Sequence, residues 1–152
     1  MAITLRAPRG LSRLAPALRT LVQSTLTAEG RRAGEIGIVP AHDAELRTLN
    51  RSWRGIDRAT DVLSFGYDDD RRISGDLAIS LDRVIVQARR YRVTRGQELA
   101  RLAVHGTLHL AGLDHRHAAE RLSMRRREDR ALEAGSEAVR SLDHLLASEP
   151  PR

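Results

Sequence analysis

The stretch that decides how this chain folds is Leu102-Ala103-Val104-His105-Gly106-Thr107-Leu108-His109-Leu110-Ala111-Gly112-Leu113-Asp114-His115. From Leu102 to Leu113 it carries no formal charge except on its histidines. A helix that is apolar on several sides belongs inside a fold, so this segment is expected as a central buried helix. His105 and His109 are four apart in sequence and leave the same helix face. Gly112 can take the left-handed conformation that ends a helix. The short turn Leu113-Asp114 can then swing His115 back toward the first two rings.

Three neutral imidazoles converging on one point suit a tetrahedral zinc ion with its fourth position open, the catalytic pattern. The plainer reading is three core histidines, each satisfied separately. Burying several polar rings without partners is costly, and one metal ion satisfies all three. The spacing does not fix the reaction. Metzincin proteases share these ligand offsets but place a glutamate directly after the first histidine as general base. Here Gly106 stands in that place and can transfer no proton. Asp114 is the nearest carboxylate, and the commoner role for such a neighbour is to orient a ligand ring.

Working upstream, Thr94 and Gln97 form a capping box before a helix. Ser80 caps another, with Leu81, Val84, Ile85 and Ala88 on one stripe. Residues 77–79 read as a strand, as does Val62–Tyr67, and Asp68-Asp69-Asp70-Arg71-Arg72 reads as the turn between them. Residues 35–39 read as a strand, Pro40 as the opening of a helix carrying Leu46 and Leu49, and residues 50–60 as a polar stretch. Ile3-Thr4-Leu5 alternates like a short strand, followed by a helical stripe of Leu11, Leu14, Leu18, Leu21, Val22 and Leu26. Arginines without an acid before Glu29 also give this region the look of an organellar transit peptide, but the strand-plus-helix pattern accounts for it. Downstream, a helical region from about His117 is interrupted at Gly135. Its second half turns Ala138, Val139, Leu142, Leu145 and Leu146 inward. Residues 1–147 form one domain, and the proline-containing residues 148–152 are expected to fray. Strands and helices interleave around one sheet, an α/β or α+β arrangement.

Composition bounds the function. The 152 residues are 41% hydrophobic and 30% charged, which excludes general disorder. No apolar run approaches the roughly 18–20 residues of a membrane span. There is no cysteine, which removes disulfide scaffolds, thiolate metal sites and cysteine nucleophiles and makes the cytoplasm the default compartment. All 26 basic residues are arginine, against 20 acids, for a net charge of +6. Genomic base composition alone can produce an arginine-only chain. The functional reading is a polyanionic partner, because guanidinium groups fit phosphate bidentately. Aromatic residues are only 3%, too few for a broad base-stacking platform.

The histidine segment resembles the signature of the YbeY family, bacterial metal-dependent endoribonucleases that mature ribosomal RNA; that family usually has tyrosine where Leu113 stands. An upstream block agrees: Leu49-Asn50, Trp53-Arg54, Asp57 and Thr60-Asp61-Val62-Leu63-Ser64-Phe65. Trp53 fills a slot usually held by tyrosine, and Gly66 replaces the usual proline. Gly75-Asp76-Leu77 resembles the family's next strand, and Met124 and Glu128 sit at familiar spacing on a later helix. The recognisable blocks span residues 49–128.

The resemblance implies an α+β fold, a small mixed sheet surrounded by helices, with one zinc ion at the base of a cleft. It carries the metal role onto His105, His109 and His115, and a catalytic role onto Arg54. It implies an endoribonuclease specific for single-stranded RNA, acting in rRNA 3′-end maturation and ribosome quality control, with the small ribosomal subunit as partner. Physically, a guanidinium such as that of Arg54 stabilises the negative charge that builds on phosphoryl oxygens during cleavage. Two alternatives stand beside it: a zinc peptidase, weakened by Gly106, and a non-catalytic ribosome-assembly factor with a structural zinc, weakened by the open fourth position. Among the other residues, Ser64 is expected in strand packing. Asp76 either bonds toward the site or ends a turn, and Glu128 either backs a ligand or lies on a helix surface. His117 is expected exposed at a helix start. His42 and His144 look incidental. The run Arg125-Arg126-Arg127 is either a solvated face or an RNA contact.

Overall fold

A computed structural model describes residues 2–7, 10–67, 71–113 and 116–147. Strand β1 (Ala2–Leu5) leads through a 3-10 turn at Ser12–Leu14 into helix α1 (Ala15–Ala28). Next come β2 (Arg32–Ala41), α2 (Asp43–Arg54), β3 (Val62–Tyr67) and β4 (Arg72–Ser80). Four helices close the chain: α3 (Leu81–Tyr91), α4 (Arg95–Leu110), α5 (Ala118–Ala134) and α6 (Ser136–Ala147). The sheet order is β1-β2-β4-β3, with β1 and β4 parallel to β2 and β3 antiparallel to β4. The architecture is the expected α+β fold with a small mixed sheet, and no helix is long and apolar enough to cross a membrane among the described residues.

Helix α4 is the hub. Ten of its sixteen residues are buried. Leu99, Leu102, Ala103 and Leu108 join a core with Leu18, Leu21, Val22 and Leu26 of α1 and with Ile36, Ile38, Leu77 and Ile79 of the sheet. The capping box holds: Thr94 Oγ1 accepts from Gln97 N–H at 3.0 Å, and Gln97 Oε1 accepts from Thr94 N–H at 2.9 Å. Gly96 lets the first turn of α4 press on α6, since a Cβ there would lie 2.7 Å from Asp143 Cα. The chain breaks at Gly135 between α5 and α6, as expected, where a Cβ would run into Leu21. The opposite face of the sheet carries a second, smaller cluster of Ala41, Leu46, Leu63 and Ala78, with Leu49 and Phe65 packed against it.

Several boundaries differ from the sequence reading. Pro40 opens no helix; it lies inside β2, paired opposite Ile79. β1 pairs with β2 only as far as Ile38, so the missing N–H of Pro40 faces no neighbour and costs no ladder bond. Helix α2 starts later, after His42, whose backbone N–H donates to Glu45 Oε1 at 3.2 Å and whose Nδ1 pairs with Asp82 at 3.2 Å. Leu11 precedes α1 because the helix begins with Pro16 in its first turn, the position proline favours. The strands expected at 35–39 and 77–79 are longer at both ends, because pairing between neighbours extends them beyond their most apolar residues. Helix α2 runs on into the polar stretch: Arg54 is its last residue, and Gly55 ends the helix in the left-handed conformation. Asp68, Asp69, Asp70 and residues 148–152 lie outside the described residues.

Candidate functional site

The site forms where the C-terminal half of α4 crosses β3. Gly106 makes the crossing close: a Cβ there would sit 3.0 Å from Leu77 and from Val62, and 3.3 Å from Ser64 Oγ. Ser64 Oγ donates to the Gly106 carbonyl at 2.8 Å, which ties the strand to the helix. That bond commits the hydroxyl, so Ser64 packs as expected. Toward the end of the helix, Gly66 and Gly75 face each other across β3 and β4 and leave room for Leu110 to lie on the sheet.

With the helix so held, His105 and His109 point the same way. Their rings meet edge to face, with Nε2 to Nε2 at 3.1 Å. His105 Nδ1 is bonded to Glu128 Oε1 of α5, and both side chains are mostly buried. Glu128 therefore stands directly behind the first histidine and is no surface charge. With the carboxylate as acceptor, Nδ1 is the donor, and the other ring nitrogen, Nε2, faces His109.

Helix α4 ends as the sequence predicts. Gly112 has φ +93°, its N–H donates to His109 O at 3.0 Å, and Leu113 N–H donates to Leu108 O at 3.0 Å. These two bonds are the pair that closes a Schellman turn. Asp114 and His115, the next two residues, lie outside the described residues. Among the described residues, no three His, Asp or Glu side chains gather closely enough to hold a metal ion.

Both histidines line a cleft of about 730 Å³. Its walls include Arg54 from the end of α2, Thr60, Asp61, Val62 and Ser64 from the approach to β3 and the strand itself, and Arg116 beyond the turn. Arg54 thus shares the cleft with the two histidines. Arg116 was missed from sequence, because no local pattern in the sequence points it toward the cleft.

A second omission is the polar network under the Asp61 wall. Asp61 accepts from Val62 N–H at 2.8 Å and from Gln87 Nε2 at 3.4 Å, and Gln87 also donates to Glu98 at 2.6 Å. Glu98, 1% exposed, receives two bonds from Arg101, at 2.9 and 2.6 Å. Those bonds hold the Arg101 guanidinium above its ordinary pKa, with the charges of Glu98, Glu128 and Asp61 adding to the effect against burial. A buried carboxylate needs such compensation.

Other residues lie elsewhere. Asp76 neither reaches the cleft nor ends a turn: it sits within β4 and accepts from the Tyr67 hydroxyl, with Arg6 at 3.9 Å. His117 is exposed at the start of α5, as expected, with Glu120 at 3.8 Å. Of the arginine run, Arg127 pairs with Glu29 at the end of α1, while Arg125 and Arg126 are exposed.

Residues 9–135 match the family model described as Endoribonuclease YbeY. Curated relatives agree. An Endoribonuclease YbeY from Roseiflexus castenholzii is 44% identical over 126 residues, covering 76% of this chain and 79% of that one. One from Chloroflexus aggregans is 48% identical over 124 residues, covering 74% and 81%. A Thermotoga maritima protein whose structure was solved in solution superposes with a TM-score of 0.68 at 27% identity, covering 99% of each chain. On the extent of these matches, the chain belongs to the YbeY family of endoribonucleases.

Proposed function

We propose that this endoribonuclease cleaves single-stranded RNA with one zinc ion held by His105, His109 and His115. The observation that carries the reading is the pair of Nε2 atoms 3.1 Å apart, with Glu128 behind His105. Two nitrogens bound to one zinc at ~2.0–2.1 Å stand roughly 3.3 Å apart in a regular tetrahedron. The donor set also fits the ion: neutral imidazoles, one of them oriented by a carboxylate through its other nitrogen. Bound there, a zinc ion would supply Lewis acidity toward a phosphodiester oxygen and toward the attacking group, whether water or the RNA 2′-hydroxyl.

The remaining work falls to the chain's own residues. Glu128 holds His105 in the tautomer that presents Nε2. Arg54 offers a guanidinium on the cleft wall to the phosphoryl oxygens as charge builds on them. Gly106 gives the helix its close seat on β3 and, having no side chain, supplies none of the general-base chemistry that a zinc peptidase's glutamate provides. Within the cell, the proposed substrate is ribosomal RNA, at 3′-end maturation and in ribosome quality control, with the small subunit as partner and the cytoplasm as the place of work.

The test incubates zinc-loaded protein with single-stranded rRNA and, separately, with casein, alongside a His109→Ala control. RNA cut only by the loaded wild type supports the proposal. Casein cleavage instead establishes a peptidase. Cleavage of neither, with retained binding to small subunits in a sucrose gradient, establishes an assembly factor. RNA cleavage undiminished in His109→Ala removes the histidine site from the reaction.

A further inference from the structure

The chain has one tryptophan, and it lies in the open. Trp53 is 73% exposed, directly beside Arg54 in the last turn of α2. Its ring leans on Phe65 of β3, with centroids 6.0 Å apart and planes tilted by 55°. Two residues further along β3, on the same face of the strand, Tyr67 is 58% exposed. Tyr67 is anchored by its hydroxyl to Asp76. Three of the four aromatic residues of the chain therefore collect along one side of β3. The other side of the same strand, through Ser64 and Gly66, lines the histidine cleft. β3 is an edge strand, so the cleft and the aromatic row are separated only by its open edge.

An exposed indole gains nothing from water, and here one side of the ring rests against Phe65. The sequence-level count of aromatics argued against a broad stacking platform, but it gave no information on where the few rings stand. They stand together, next to an arginine that enters the cleft, on a chain of net charge +6. Aromatic faces beside cationic groups are how single strands are gripped without regard to sequence.

We propose that Trp53, continued by Tyr67, is a base-stacking shelf that holds the nucleotides of a single-stranded RNA next to the bond being cut. A phosphate at Arg54 leaves the neighbouring base free to pass over the β3 edge and stack on the indole. The inference rests on the RNA-cleaving reading of the cleft and names how that substrate is gripped. The occupant is an unpaired base, because a duplex keeps its π-faces internal.

Because Trp53 is the sole tryptophan, its fluorescence reports contact directly, with or without metal. The full chain is titrated with oligouridylate and with an abasic oligomer of the same length. Stacking predicts quenching by oligouridylate and little by the abasic strand. Trp53→Ala is expected to weaken oligouridylate binding about 5- to 150-fold, measured by anisotropy of labelled RNA. In cleavage by the zinc-loaded enzyme, KM should rise far more than kcat falls. Trp53→Phe should restore most of the affinity. Equal quenching by both strands, or unchanged affinity in Trp53→Ala, overturns the shelf while leaving the proposed cleavage intact. Quenching without any cleavage by the loaded wild type keeps the shelf and removes the proposed reaction.

Discussion

The Nδ1 nitrogen of His105 is hydrogen-bonded to the carboxylate of Glu128, 23 residues away on another helix. Glu128 is 8% exposed and packs from α5 against the face of α4 that carries the candidate ligands. A histidine that belonged merely to the core could be satisfied by any nearby acceptor. This one is satisfied so that its other nitrogen faces the second histidine.

Glu128→Ala takes away that acceptor and lets the ring turn. Zinc affinity is expected to fall about 10- to 100-fold, the usual loss when a ligand's hydrogen-bonding partner is removed. Competition against a calibrated chelator measures it, with circular dichroism confirming the fold. An unchanged zinc affinity would separate Glu128 from the metal site.

Arg54→Ala should keep zinc content and fold while kcat for RNA drops roughly 10²- to 10³-fold, the range seen when one donor to a developing oxyanion is lost. The side chain is exposed at the end of α2, so the stability change is expected at about 0.3–1 kcal/mol, a helix-terminus charge effect. Near-native turnover would remove Arg54 from the mechanism.

Gly106→Glu installs the residue that a zinc peptidase carries after its first histidine. The space is taken by Leu77, Val62 and Ser64. Overpacking of ~1–3 kcal/mol should lower Tm by roughly 3–12 °C, without any gain of activity on casein. A variant as stable as the wild type would show that the crossing of α4 over β3 is looser than the contacts imply.

Tyr67 gives a prediction in pH. Its bond to Asp76 raises the phenol pKa, helped by desolvation and by the Asp76 charge, with Arg6 acting the other way. A pKa raised in the folded state means the folded form holds its proton longer. The contribution to stability is full below the ordinary tyrosine range near ~10 and is lost as pH climbs through the raised value. Ultraviolet titration of phenolate should therefore show a step above that ordinary range, which Asp76→Asn moves down. Identical curves for both proteins would break the link.

Local chemistry made much of this protein legible in its sequence. The Thr94–Gln97 and Ser80 caps, the left-handed Gly112, the break at Gly135 and the buried character of α4 all rest on contacts within a few residues, which the order of side chains dictates. The same holds for His105 and His109, because four residues along a helix return to one face. Tertiary packing decided the rest. Pro40 is tolerated in a strand only because β1 stops short of it. Arg54 enters the cleft because α2 runs on into the polar stretch that follows Leu49. Glu128, Asp61 and Arg116 reach the site, and Asp76 misses it, according to how helices and strands cross. Those relationships depend on distances between segments far apart in the chain, and no periodicity or cap within one segment encodes them.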